Sequence, residues 1–331
     1  MKKHIFKVFF ACFGLLVLIL DSKHAIAGAQ EGLEFCIQVV IPSLFPFLFL
    51  SGILLTAIKD ECIASNKPLR TANLLLIGYL GGYPIGAQCV AQAYTAGQLS
   101  KENAQKLVIC CNNPGPAFIF GITAVLFPSK WYPLLLWGIH ILSSLLLLRV
   151  LPQGADISGS RYIPPHREKT SSLPEAIQSM AFISGWIILF RIVIQILNHS
   201  LFRIIPQRYA ILLYGFMELT NGCATLPEIG SVGLKFALCA MFLSFGGLCT
   251  ALQTRSVAKS VNCRKYIPAK ISEGLTSFLL AYILQLCIIP QEYRYHAPAM
   301  LLAALLAINI LTVFFLRKSK NNSRILSMVG V

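Results

Sequence analysis

Leu107-Val108-Ile109-Cys110-Cys111-Asn112-Asn113-Pro114-Gly115-Pro116-Ala117-Phe118-Ile119-Phe120-Gly121-Ile122-Thr123-Ala124-Val125-Leu126-Phe127 is apolar at both ends and broken in the middle. Its length is that of a bilayer crossing, which takes about 20 residues. The break, Asn112 to Pro116, cannot continue a helix, because Pro removes a backbone donor and clashes with the preceding turn. Lipid satisfies no free carbonyl, so a break at membrane depth survives only inside protein or against a polar cavity. Asn112 and Asn113 bring donors and acceptors to the same point. The alternative is a surface turn between two half-length helices.

The flanking sequence is of the same kind. Apolar runs cover Ile5–Leu20, Leu33–Ala57, Ala72–Ala87, Trp131–Val150, Glu175–Leu197, Ala210–Thr225, Leu234–Leu252, Ala269–Pro290 and Ala297–Leu316. Of 331 residues, 56% are hydrophobic and 12% charged, half the charged share of an ordinary soluble domain. The chain lacks the polar surface for soluble domains and reads as an all-α, polytopic transmembrane helix bundle. It is expected as a multi-pass protein of the cell membrane, with the lipid bilayer as its solvent and about eight crossings.

The net charge of +15 lies mostly in short loops between apolar runs. That is the arrangement that orients membrane helices, with Lys and Arg on the cytoplasmic side. It argues against nucleic acid as a partner, since no basic patch carries base-stacking aromatics. Leu151–Leu173, Arg255–Lys270 and the tail after Leu316 are accordingly read as cytoplasmic. Eleven Cys form no CxxC and no zinc-spaced Cys/His cluster; most lie in apolar runs and read as small hydrophobes. Lys2 and Lys3 before the first run, with Ala25-Ile26-Ala27 after it, fit either a retained first helix or a signal-like segment. The chain divides into residues 1–28, a first half 29–150, the linker 151–173, a second half 174–316 and a basic tail 317–331.

The halves resemble each other. Gly81-Gly82-Tyr83-Pro84-Ile85-Gly86-Ala87-Gln88 matches Gly246-Gly247-Leu248-Cys249-Thr250-Ala251-Leu252-Gln253 in its Gly-Gly, small residue and Gln. Duplication with Gly/Pro-broken segments in matching places points to a transporter-like site. If Lys59–Arg70 and the linker share a side, an even number of crossings separates them, and three apolar segments lie between. One must therefore re-enter, and Ala72–Ala87 is the shortest; the same count makes Ala210–Thr225 re-entrant from the other side. Strictly inverted halves would need an odd number each, which this count does not give.

Ionisable residues in apolar context are costly and are functional candidates by default. Arg191, Glu218, Glu273 and His140 are of this kind. Arg191 needs a partner, and Glu218, which opens the break Glu218-Leu219-Thr220-Asn221-Gly222, is the expected one. His140 reads as a satisfied bundle histidine, and Glu273 as an acid at a helix start favoured by the dipole. No hydrolase, kinase or metalloprotease signature occurs, so neither enzyme activity nor a cofactor or metal is expected.

At four places the chain resembles one family. They are Val40-Ile41-Pro42-Ser43-Leu44-Phe45-Pro46-Phe47, Gly82-Tyr83-Pro84-Ile85-Gly86-Ala87, Leu99-Ser100-Lys101-Glu102-Asn103-Ala104-Gln105 and Cys111-Asn112-Asn113-Pro114-Gly115-Pro116. Each resembles the sporulation integral membrane protein family that carries the nucleoside-recognition, or Gate, domain. Glu218 to Gly222 and Phe245-Gly246-Gly247-Leu248 look like its second half. The family's usual His-Ala-Gln stretch is replaced here by Cys249-Thr250-Ala251-Leu252-Gln253. Gate domains also occur in nucleoside transporters and beside the GTPase of ferrous-iron uptake proteins; this chain has no GTPase domain. The resemblance implies a transporter or gate for a small polar solute, with a nucleoside as first candidate, linked to sporulation. The alternative left open is a non-transporting scaffold or interaction protein in spore-envelope assembly, and among partners a homo-oligomer is open as well. The expected solute-binding residues are Gly81, Gly82, Tyr83, Pro84, Gly86, Gln88, Asn112, Asn113, Gly115, Glu218, Thr220, Asn221, Gly222, Gly246, Gly247 and Gln253.

Overall fold

The computed structural model describes residues 2–46, 48–50, 52–53, 71–123, 126–154, 172–200 and 207–328. Most of the linker and the basic stretch 59–70 therefore lie outside the described residues. No strand occurs among them.

The chain begins with α1 (Lys2–Leu20) and α2 (Ser22–Leu50), the latter running through a π-helical turn at Cys36–Val40. Ala25-Ile26-Ala27 lies inside α2, not in an extended segment. Then come α3 (Thr71–Gly81), α4 (Ile85–Thr95), α5 (Lys101–Cys111), α6 (Pro116–Ile122) and α7 (Trp131–Val150). The second half holds α8 (Ser172–Ser200), α9 (Gln207–Met217), α10 (Leu219–Thr225), α11 (Val232–Phe245), α12 (Gly247–Val257) and α13 (Tyr266–Ile288). Last is α14 (Ala299–Met328). Ends follow local chemistry. Ser100 accepts from Asn103 N at 3.3 Å to cap α5, and Ser231 accepts from Leu234 N at 3.3 Å to cap α11.

Five of the described helices are long and apolar enough to cross a membrane: Ser22–Leu50, Trp131–Val150, Leu173–Ser200, Val232–Val257 and Tyr266–Ile288. Shorter apolar helices are Ala11–Leu20, Thr71–Gly81 and Ala299–Phe314. The protein is a multi-pass membrane helix bundle.

α3 and α4 form a hairpin, not a crossing. A methyl on Gly86 would lie 3.2 Å from the Cα of Gly78, whereas eight residues of straight helix span about 12 Å. α9 and α10 fold back in the same way: a methyl on Gly222 would collide with the Cα of Gly215. The two short apolar runs thus fold back as helical hairpins, the form that re-entry would take. α5–α6 instead runs straight through its break. The start of α5 meets the end of α7, where Gly154 N donates to Asn103 Oδ1 at 2.9 Å, and Phe120 of α6 lies edge-on to Trp137, 5.9 Å between centroids. α11–α12 likewise continues through Gly246 as one 26-residue span.

Each half therefore reads long helix, hairpin, broken helix, long helix. This corrects the register of the internal repeat. By order along the chain, the hairpin tip Gly81–Pro84 corresponds to the tip at Glu218, and the break Asn112–Gly115 corresponds to Gly246-Gly247. The eight-residue match pairs a tip with a break, because both need glycine for close approach.

Small residues also let two long helices pack closely. Methyls on Gly28 and Gly32 would lie 2.8 and 3.0 Å from the Cα atoms of Ile192 and Ile188, so α2 and α8 pack backbone to backbone, as small residues allow in membranes. α14 is tied to α13 by Ser272 Oγ donating to Asn309 Oδ1 at 2.6 Å and Asn309 Nδ2 donating to Thr276 Oγ1 at 2.9 Å. Two apolar cores occur along α7, α11–α12 and α13. One includes Leu136, Ile139, Phe236, Leu243 and Phe278; the other includes Leu147, Ala258, Tyr266 and Ala269. Between them on these helices lie polar side chains.

Candidate functional site

Each hairpin tip meets the helix break of its own half. Gly82, at φ +70°, lies so close to the first break that a methyl there would be 2.8 Å from Gly115 N. Gly247, at φ +81°, sits on the second tip, where a methyl would be 3.1 Å from Glu218 Cα and from Met217 O. Positive φ and the absence of Cβ are what only glycine supplies at these contacts.

A cavity opens where the four interruptions converge. It is lined by Gly81, Gly82 and Tyr83 of the first tip, Gly115, Ala117 and Phe118 of the first break, and Glu218, Leu219 and Thr220 of the second tip. Gly246, Cys249, Thr250 and Gln253 come from the second break. Leu44, Leu48, Leu80, Ile183 and Ile187 complete the apolar wall. The cavity itself is small, ≈ 70 Å³, below the usual size of small-molecule sites, so a drug-sized solute enters only if the tips and breaks part.

Glu218 is the pocket's acid, 4% exposed. It is also the N-cap of α10: Thr220 N donates to Oε1 at 2.9 Å, and Asn221 N and Nδ2 donate to Oε2 at 2.7 and 2.9 Å. Thr250 Oγ1 donates to Gly246 O, and also to Gly247 O at 3.0 Å, absorbing carbonyls freed by the break. Gln253 Nε2 contacts Cys249 Sγ at 3.2 Å. Gln253 Oε1 and Tyr83 Oη are buried without a hydrogen-bond partner among the described residues. Buried polar groups are rarely left so.

Behind the first break lies a second polar layer. Lys270, 2% exposed, donates to Asn113 Oδ1 at 2.8 Å and to Glu273 Oε2 at 2.9 Å. Asn113 Nδ2 donates to Cys110 O at 2.6 Å. Asn112 Nδ2 donates to Thr254 Oγ1 at 2.6 Å and to Tyr266 Oη at 2.9 Å, tying the first break to α12 and α13. His140 Nδ1 is 3.0 Å from Ser244 Oγ and 3.8 Å from Glu273 Oε1. Ser244, Ser277 and Ser143 link at 2.6 and 2.7 Å. Thus the carbonyls and amides of Asn112 to Gly115 are buried in protein, not turned to a surface.

Of the expected residues, Gly81, Gly82, Tyr83, Gly115, Glu218, Thr220, Gly246 and Gln253 line the cavity. Asn112 and Asn113 brace the break from behind. Pro84 is buried at the tip, Gly86 packs on Cys111 O, and Gly222 closes its hairpin on Gly215. Gln88 is exposed on α4 and does not join the site.

The expected Arg191–Glu218 pair is corrected. Arg191 Nη2 and Nε bind Glu31 Oε2 at 2.8 and 3.0 Å. Arg191 Nη1 also donates to Asn221 Oδ1 at 3.3 Å, so it reaches Glu218 only through the Asn221 amide. The reason is capping: both oxygens of Glu218 are occupied by the first turn of α10, and the close α2–α8 packing brings Glu31 to Arg191 instead. Glu273 is corrected as well. It lies inside α13, fully buried and paired with Lys270, and not at the helix start. Lys270 was hidden in the basic stretch Arg255–Lys270; its acid three residues on was the available signal. Glu31 carried no comparable signal.

No family model matches the chain, and no solved structure matches it. The chain is 24% identical over 344 residues to the sporulation integral membrane protein YlbJ of Bacillus subtilis, an alignment spanning 87% of this chain and 84% of that protein.

Proposed function

We propose that the protein is a Gate-type membrane transporter for a small, uncharged polar solute of the nucleoside class, acting in sporulation. The observation that carries this reading is the cavity between two re-entrant tips and two helix breaks. Broken helices at membrane depth supply backbone groups to a solute where side chains are few. The lining adds one carboxylate, Glu218, and two unpartnered polar atoms, Gln253 Oε1 and Tyr83 Oη, beside the apolar wall of Leu44, Leu48, Phe118 and Ile187. Among the described residues no cationic side chain lines the cavity, which disfavours phosphorylated solutes. A ligand with hydroxyl and amino donors on one edge and a flat apolar face suits this lining. The resemblance to Gate domains and the similarity to YlbJ support the class and the sporulation role.

Uptake of labelled nucleosides into liposomes bearing the purified protein is the test. Saturable uptake that Glu218→Gln and Gly82→Leu abolish is the expected result. No uptake by the wild type of any nucleoside, with the protein folded and inserted, would overturn the reading and favour a non-transporting scaffold.

A further inference from the structure

We propose that Asp21, His24 and His199 form a binding site for a divalent cation of the Zn2+ class, where α2 begins and α8 ends. The site is remote in sequence and close in space. His24 Nδ1 is 2.5 Å from Asp21 Oδ1, and His199 Nδ1, 178 residues away, is 3.2 Å from Asp21 Oδ2. The two imidazoles stack with centroids 3.7 Å apart and planes 18° from parallel. Three ligand atoms, one from each residue, lie within 4.8 Å of one another.

These residues offer an N2O donor set at short range, and the stacked rings must turn about their side-chain bonds for both Nδ1 lone pairs to meet one ion. Two imidazole nitrogens and a carboxylate are ligands that first-row divalent cations such as Zn2+ favour, and a fourth position goes to water. With bonds of about 2.0–2.1 Å, the donors of a tetrahedral Zn2+ lie roughly 3.3 Å apart; His199 Nδ1 is at that spacing from the carboxylate, and His24 Nδ1, at 2.5 Å, must move outward. Both imidazoles turn the same nitrogen to one acid, so a cation between them replaces two N–H donors with two Nδ1 lone pairs. All three side chains are 20–37% exposed, which leaves a route for the ion and its water.

Topology gives the site a side. Lys2 and Lys3 put the start of α1 in the cytoplasm, and the basic linker does the same for the start of α8. One crossing each carries Asp21 and His199 to the outer face. Two independent readings of the sequence thus agree with the contact. A bound cation would clamp α2 to α8, the pair that also holds Glu31 against Arg191.

The test uses the full chain in detergent, purified on a tag without histidine and stripped with chelator, then titrated with Zn2+ by calorimetry. One Zn2+ per chain is expected for the wild type, and none above background for His24→Gln or His199→Gln. Asp21→Asn should weaken binding at least tenfold. Zn2+ should raise the melting temperature of the wild type but not of the histidine variants. Co2+ substituted into the wild type should give a ligand-field spectrum without the thiolate charge-transfer band that the cysteines would produce, a readout independent of how the variants fold. Absence of saturable Zn2+ binding, stoichiometry unchanged in both histidine variants, or a thiolate band would each overturn the proposal.

Discussion

Lys270→Met strips the cation from the second polar layer and leaves Glu273 as a carboxylate in a fully buried place. In the wild type the ammonium lies 2.8 Å from Asn113 Oδ1 and 2.9 Å from Glu273 Oε2, with both residues at most 2% exposed. Removing one partner of such a pair costs about 3–5 kcal/mol, because an uncompensated charge stays buried. Asn113 Oδ1 also loses its donor, within the range of about 1–3 kcal/mol for a stranded buried group. The double variant Lys270→Met with Glu273→Leu removes both charges and fills similar volume, so it should return to within about 2 kcal/mol of wild type. Denaturant unfolding in mixed micelles reads all three proteins. The single variant at wild-type stability, or the double variant as unstable as the single, would refute the argument that this pair is a closed charge-neutral unit. If the layer serves only to brace the break at Asn112 and Asn113, the double variant should also keep uptake.

Other consequences are equally checkable. Glu31→Gln should destabilise the bundle through Arg191, since a lone Arg at membrane depth costs from about 2.5 to more than 10 kcal/mol; Glu31→Leu with Arg191→Leu should recover most of the loss in the same unfolding assay. Asn221→Ala should lower uptake while leaving Arg191 on Glu31, because it cuts only the bridge to Glu218. Gly82→Leu and Gly247→Leu should abolish uptake with the protein still inserted, since a side chain at positive φ costs about 1–2 kcal/mol and these would also drive into Gly115 and Glu218. In a background lacking reactive cysteines, Asn262→Cys should be shielded from impermeant thiol reagents in intact cells, while Ser22→Cys should be labelled.

What the sequence disclosed was the part of the site that chemistry forces. Asn112 to Pro116 cannot be helical, which left either a buried break or a surface turn, and the structure shows the buried break. The hairpins were legible from the crossing count and, for the first, from its Gly-Gly-Tyr-Pro-Ile-Gly tip, but nothing in Ala72–Ala87 or Ala210–Thr225 says that Gly78 meets Gly86 or that Gly215 meets Gly222. Such pairs look the same whether small residues close a hairpin or seat a neighbouring helix, and the same ambiguity let a hairpin tip match a helix break in the Gly-Gly alignment. Partners of buried charges were the least legible. Arg191 has acids at positions 31 and 218, and sequence proximity favoured the second. Yet Glu218 stands at the first turn of α10, where two backbone amides compete for its oxygens at no cost in chain entropy. Glu31 reaches Arg191 because Gly28 and Gly32 let α2 and α8 touch. A charge in a membrane bundle finds the acid that helix packing delivers, so the glycines of α2 determine that Arg191 pairs with Glu31, 160 residues away in the chain.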